Sequence, residues 1–162
     1  MKKEEILTLF EYTRWVNHKV LEAAGGLTTA QFLAPAAISQ GSLRGALAHA
    51  YAVEALYRQR CQSGLSPDSL ILESKFSDLP ALQTAWRQEQ MAMRAYLESL
   101  EDQDLDAVIR YQSLAGEPRQ HKLWQMLLQV VNHGTQTYAE AALLLTQFGF
   151  SPGNIDLIYF LK

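Results

Sequence analysis

Six side chains in this sequence carry chemistry worth weighing: His18, His49, His121, His133, Glu54 and Cys61. An imidazole changes charge near neutral pH and is the commonest metal ligand, so each histidine is a candidate proton carrier or ligand. His18 falls opposite the apolar face of its segment, among Glu4, Glu11 and Glu22, and reads as a solvated surface residue. His121 stands in a polar stretch and reads the same way. His49 borders an apolar face, with Val53 and Leu56 about one and two turns on. That position suits either a hydrogen-bonded core histidine or a ligand. Glu54 sits at the other edge of the same face, and a buried carboxylate needs a partner. It could orient a ligand, or simply pair with an arginine. His133 shares a helical-wheel column with Gln129, Gln136 and Glu140, beside the apolar face rather than inside it. The column reads as solvent-facing; the competing reading is a polar-lined cavity at the open side of a bundle. Cys61 lies on an apolar face, where a structural thiol is expected rather than a reactive one. The sequence has no phosphate-binding glycine loop, no G-x-S-x-G elbow and no H-E-x-x-H pair.

Four long segments with helical periodicity must position these residues. In the first, Ile6, Leu9, Phe10, Thr13, Val16, Asn17, Val20, Leu21 and Ala24 fall on one face, and Gly25-Gly26 ends the run. Thr28 with Gln31 matches a capping box, which predicts a short helical turn. The second helix starts after Ser42, a good N-cap, and gathers Leu43, Ala46, Leu47, Ala50, Val53, Leu56, Tyr57 and Cys61. Ser63-Gly64 and Ser66-Pro67 break it. The third begins near Ser77 and tolerates Pro80 in its first turn. Residues 107 to 122 suggest a small hairpin. The fourth helix runs from about Leu123 to Phe148, with Gly149 at its end. The apolar tail, Ser151 to Lys162, is expected to fold back on the bundle or to cover a partner subunit. Amphipathic helices joined by mostly short connections predict an all-α four-helix bundle in one domain, residues 1–162.

Composition sets the outer bounds. The 162 residues are 48% hydrophobic and 19% charged, an ordinary globular balance, long enough to bury a core without staples. A net charge of −3 gives no electrostatic case for nucleic acid or an anionic membrane. With one cysteine there is no intramolecular disulfide and no cysteine-rich zinc site. No apolar run is long enough for a transmembrane helix or a signal peptide, so the expected location is the cytoplasm.

Four pieces, in order, resemble the DinB/YfiT-like metalloenzyme family. Leu9-Phe10-Glu11-Tyr12-Thr13-Arg14-Trp15-Val16-Asn17 is similar to the family's opening, which often reads Y-x-R-W-A-N. Gly41-Ser42-Leu43-Arg44 through His49 to Glu54 is similar to the segment that carries its first metal histidine. Leu123-Trp124 through Asn132-His133-Gly134-Thr135 is similar to its fourth-helix motif, and Gly149 to Tyr159 to its tail. The resemblance spans nearly the whole chain and implies an up-down-down-up bundle, often a homodimer. It implies His49 and His133 as metal ligands and Glu54 as the acid–base or ligand-orienting candidate. The departure matters more. Where the family commonly reads N-H-G-T-H-H-R-G-Q, this chain reads Asn132-His133-Gly134-Thr135-Gln136-Thr137-Tyr138-Ala139-Glu140. Thr137 stands where the family has its third histidine, Gln136 replaces the neighbouring histidine, and Gln129 stands where many relatives carry another.

A catalytic zinc site uses three protein ligands and leaves one position open. Two histidines and a neutral threonine hydroxyl predict weak or absent binding of zinc or nickel. Glu140 lies two turns beyond His133, about 10 Å along the axis, too far to share one ion with it on an undistorted helix. The expectation is therefore a non-catalytic or altered-metal member that binds a small molecule. The alternative, implied by relatives, is a divalent-metal-dependent thiol transferase or isomerase. A shared site requires the His49 and His133 ring nitrogens to lie about 3–5 Å apart across the bundle.

Overall fold

A computed structural model of the chain describes residues 1–161. Among them are six α-helices and one hairpin: α1 (Lys3–Ala24), α2 (Thr29–Leu33), α3 (Leu43–Ser63), α4 (Leu79–Ser99), β1 (Val108–Gln112), β2 (Pro118–Lys122), α5 (Leu123–Gln147) and α6 (Leu157–Phe160). The four long helices α1, α3, α4 and α5 are the bundle.

Local chemistry sets their ends. Ser42 Oγ accepts from the Gly45 N–H at 2.9 Å and starts α3. Gly64 closes it at φ +70°, a conformation that costs glycine nothing. For α4 the cap is Asp78, whose carboxylate accepts from the Ala81 N–H at 2.9 Å, one residue beyond the predicted start near Ser77. Thr28 and Gln31 exchange hydrogen bonds as a capping box and open α2 as predicted.

Side-chain pairs between helices give the topology. Asn17 bonds Tyr138 and Gly134 lies against Thr13, so α1 and α5 run parallel. His49 meets His133, while Ser39, just before α3, meets Glu140; α3 and α5 are therefore antiparallel. Trp86 bonds Glu54 and Tyr96 bonds Cys61, so α3 and α4 are parallel. The order is up-down-down-up. Two apolar clusters fill the interior. One is built on Val20, Leu47, Leu82, Trp86, Tyr138 and Leu145, the other on Ile6, Met93, Leu97, Met126 and Leu127.

The hairpin forms where predicted, with β1 and β2 antiparallel and Arg110 opposite Gln120. Its anchor is Arg60, whose buried guanidinium lies 4.6 Å from the centre of the Tyr111 ring and donates to Ser66 Oγ at 2.9 Å. The tail returns to α1. Tyr12 donates its hydroxyl proton to the Ile155 carbonyl at 2.9 Å, and Phe160 packs 5.9 Å from both Tyr12 and Trp15. Ile158, Tyr159 and Leu161 stay exposed.

Candidate functional site at the paired histidines

His49 and His133 come from antiparallel helices and meet ring to ring. Their Nε2 atoms stand 3.0 Å apart and their ring centres 4.9 Å, with the planes at 60°. At that distance one Nε2 donates a proton and the other accepts it, so the two rings occupy opposite Nε2 protonation states. Burial lowers the pKa of His49, against an upward pull from Glu140. Burial, then the neighbouring His49, lowers that of His133. Both rings are neutral at pH 7. In the column of Gln129, His133, Gln136 and Glu140, Gln129 and Gln136 are solvent-exposed as expected, but His133 is half-buried against α3 and Glu140 accepts from Ser39 Oγ at 2.6 Å. Only the Glu140 end of the column meets the segment leading into α3, a contact that hydropathy periodicity does not register.

Thr137 lies one turn beyond His133 and is buried. Its hydroxyl donates to the His133 carbonyl at 3.0 Å, the usual local bond of a mid-helix threonine. Among the described residues, no three histidine, cysteine, aspartate or glutamate side chains are placed to share a metal ion. Beside His49 a cavity of about 270 Å³ opens, lined by Gln40, Gly45, Leu70, Ile71, Leu72 and Glu73. Glu73 accepts from Ser42 Oγ and Arg44 Nε, each at 3.3 Å. The rim thus presents one neutral imidazole and one partly compensated carboxylate to a guest.

The DinB family model covers residues 1–162. The chain belongs to the DinB family. A search among curated proteins returns no match.

In this DinB-family chain the other candidates lie apart from the histidine pair. His18 is exposed beside Glu22 on α1, as read. His121 is exposed on β2 and lies 3.1 Å from the Tyr111 hydroxyl. Cys61 is buried, and desolvation pushes its thiol up to about 12, so it carries no thiolate at neutral pH. Glu54 was expected to orient a ligand or pair with an arginine, and its only donor among the described residues is neither. The Trp86 indole N–H donates to its Oε2 at 2.7 Å, and the arginine beside it, Arg58, makes a bidentate pair with buried Glu89 instead.

The polar interior around Glu54 does not show in the helical periodicity. Gln90 donates to Asn17 Oδ1 at 3.0 Å, and Asn17 donates to Tyr138 Oη at 3.2 Å. The available signal was Asn17 itself, a polar residue inside the apolar stripe of α1, which a buried bond must satisfy.

Burial pushes the Glu54 carboxyl from an ordinary 4.5 up to about 7, against the downward pull of the Trp86 hydrogen bond. Between those values the folded state binds more protons than the unfolded chain, so stability falls as pH rises from 4.5 to 7 and levels off above. The loss is about 3 kcal/mol. The two histidines act oppositely, adding stability above their ordinary 6.5 that is lost on acidification. Glu54→Gln keeps an acceptor for Trp86 and removes the carboxyl. Denaturant melts of both proteins from pH 5 to 8 cancel the histidine share. The variant should gain on the parent steadily up to pH 7, and a pH-independent difference contradicts this.

Gly45 makes the entrance to the cavity. A Cβ there would lie 2.2 Å from the Gln40 carbonyl oxygen and 3.0 Å from Glu73 Oε2. Alanine improves an average helix position by about 1 kcal/mol, but a backbone clash this close forces the roof segment away from α3. Overpacking of this kind costs about 1–3 kcal/mol. Gly45→Ala should therefore lower the melting temperature, and a rise would show that the segment is not held against α3.

Proposed function

We propose that this chain is a DinB-family protein that binds a small molecule in the cavity beside His49 and does not use the metal chemistry of its relatives. The observation that carries this reading is the missing third ligand: among the described residues no three histidine, cysteine, aspartate or glutamate side chains converge beside His49 and His133. The 3.0 Å between the two Nε2 atoms meets the spacing of a shared site, but the third family position is a threonine that spends its only hydroxyl proton on the helix backbone. The residues present do not fit a catalytic zinc, which takes three protein ligands. A small polar guest fits better, because His49 and Glu73 both line the cavity and the Glu73 carboxylate can accept from it.

The divalent-metal-dependent thiol transferase or isomerase reading keeps one supporting observation, the convergence of two neutral imidazoles. It needs a third donor from solvent or substrate. Thermal melts separate the two. At 100 μM zinc or nickel, a site with Kd near 100 μM or weaker adds at most about 0.4 kcal/mol. For a domain this size that moves Tm by less than about 2 °C. A larger rise, or a fall on adding chelator, favours the metal enzyme. The exposed Ile158, Tyr159 and Leu161 of the tail are the proposed contact of a homodimer, with sedimentation as the check. The cytoplasm remains the proposed compartment.

A further inference from the structure

On the side of α3 away from this pair, Glu54 reaches a narrow cleft between α1 and α4. Its carboxyl is more than nine-tenths buried, and Trp86 occupies only Oε2. Among the described residues no fully sealed side-chain polar atom lacks a partner, so Oε1 keeps access to the cleft. Two more acceptors line the same space. Thr13 spends its hydroxyl proton on the Leu9 carbonyl at 3.0 Å, which leaves its oxygen lone pairs. With the Gln90 amide N–H given to Asn17, its carbonyl oxygen is free. The cleft has about 30 Å³ of room, the space of one water or one ammonium head. Leu7, Phe10, Met93 and Leu97 wall the rest. At the mouth the positive charge is already compensated: Arg94 pairs with Glu98 at 2.8 Å and with Glu11 at 3.4 Å, and Arg14 lies 3.9 Å from Glu11.

We infer that the cleft between α1 and α4 is a binding site for a primary alkylammonium, its head seated on Glu54 and its chain leading out through the mouth past Arg14 and Arg94. The match is one of counting. Three acceptors, one of them the Glu54 carboxyl that a seated cation would hold ionised, meet the three N–H donors of a primary ammonium, whereas an alcohol supplies one donor and water two. The site is separate from the histidine pair and needs no metal.

The test uses the full-length protein, n-butylammonium chloride and its uncharged counterpart n-butanol, with isothermal calorimetry and tryptophan fluorescence as readouts. Trp86 reports directly because its indole N–H is bonded to the same carboxyl. Expected is saturable one-to-one binding of butylammonium, with butanol weaker by about tenfold or more, the share of a charge-assisted bond. Glu54→Gln should lose about the same factor, while His133→Ala leaves binding unchanged. Absence of saturable binding, equal binding of butanol, or full affinity in Glu54→Gln would each overturn the proposal. The butanol comparison needs no variant, so it stands even if Glu54→Gln folds poorly.

Discussion

Thr137→His should raise zinc affinity by about a hundredfold or more, because it adds the donor that completes a three-ligand site. Position 137 lies one turn beyond His133 on the same face of α5, so an imidazole there is carried toward the same point. The parent side chain is buried, and its hydroxyl bond to the His133 carbonyl is a local one that the helix does not need. If the gain brings Kd to about 1 μM, 100 μM zinc adds about 2.7 kcal/mol. That is a rise in Tm of about 5–10 °C, against less than about 2 °C for the parent. Zinc also has to break the bond between His49 and His133, so the variant should lose all of the gain when His49 is replaced by alanine. No gain in Thr137→His would mean that the space around the pair has been rebuilt for something other than a metal.

The second large effect is on stability. Trp86→Ala should cost about 3–5 kcal/mol, enough to lower Tm by about 10 °C or more. Trp86 is 1% exposed, packs 6.0 Å from Tyr138 and 6.1 Å from Tyr51, and lies within the larger apolar cluster. Removing it opens a void and also strips Glu54 of its hydrogen bond, and about 1–3 kcal/mol of that loss is the buried group left unpaired. The two contributions separate in a cycle. Trp86→Phe keeps most of the ring volume and loses only the N–H. Glu54→Leu in that background should recover part of the loss, since an unpaired carboxyl has then been replaced by carbon. Equal losses with and without Glu54→Leu would show that the indole bond contributes nothing beyond packing.

Much of this frame was legible from residue pattern. Ser42, Gly64, the Thr28–Gln31 pair and the stripes of α1, α3, α4 and α5 mark the elements, because caps and amphipathic faces are local properties. The hairpin was legible for the same reason. What failed is what depends on a distant roof. The polar column of Gln129, His133, Gln136 and Glu140 looks outward on a helical wheel, yet Glu140 meets Ser39 and His133 meets His49, residues 101 and 84 positions earlier. Glu54 carried the same ambiguity. Its place at the edge of an apolar face announced burial and a partner, but a wheel cannot tell an arginine one turn away on α3 from a tryptophan on another helix. The pairing of His49 with His133 came from resemblance to the family, not from periodicity. Periodicity treats them as unrelated residues at two helix margins.

The central claim is that this frame holds two histidines bonded to each other rather than to a metal. Its most direct measurement is the metal content of untagged protein purified without added metal or chelator, by inductively coupled plasma mass spectrometry. The account predicts far less than one zinc or nickel ion per chain. One tightly held ion per chain, lost together with the His133 side chain in His133→Ala, would contradict it.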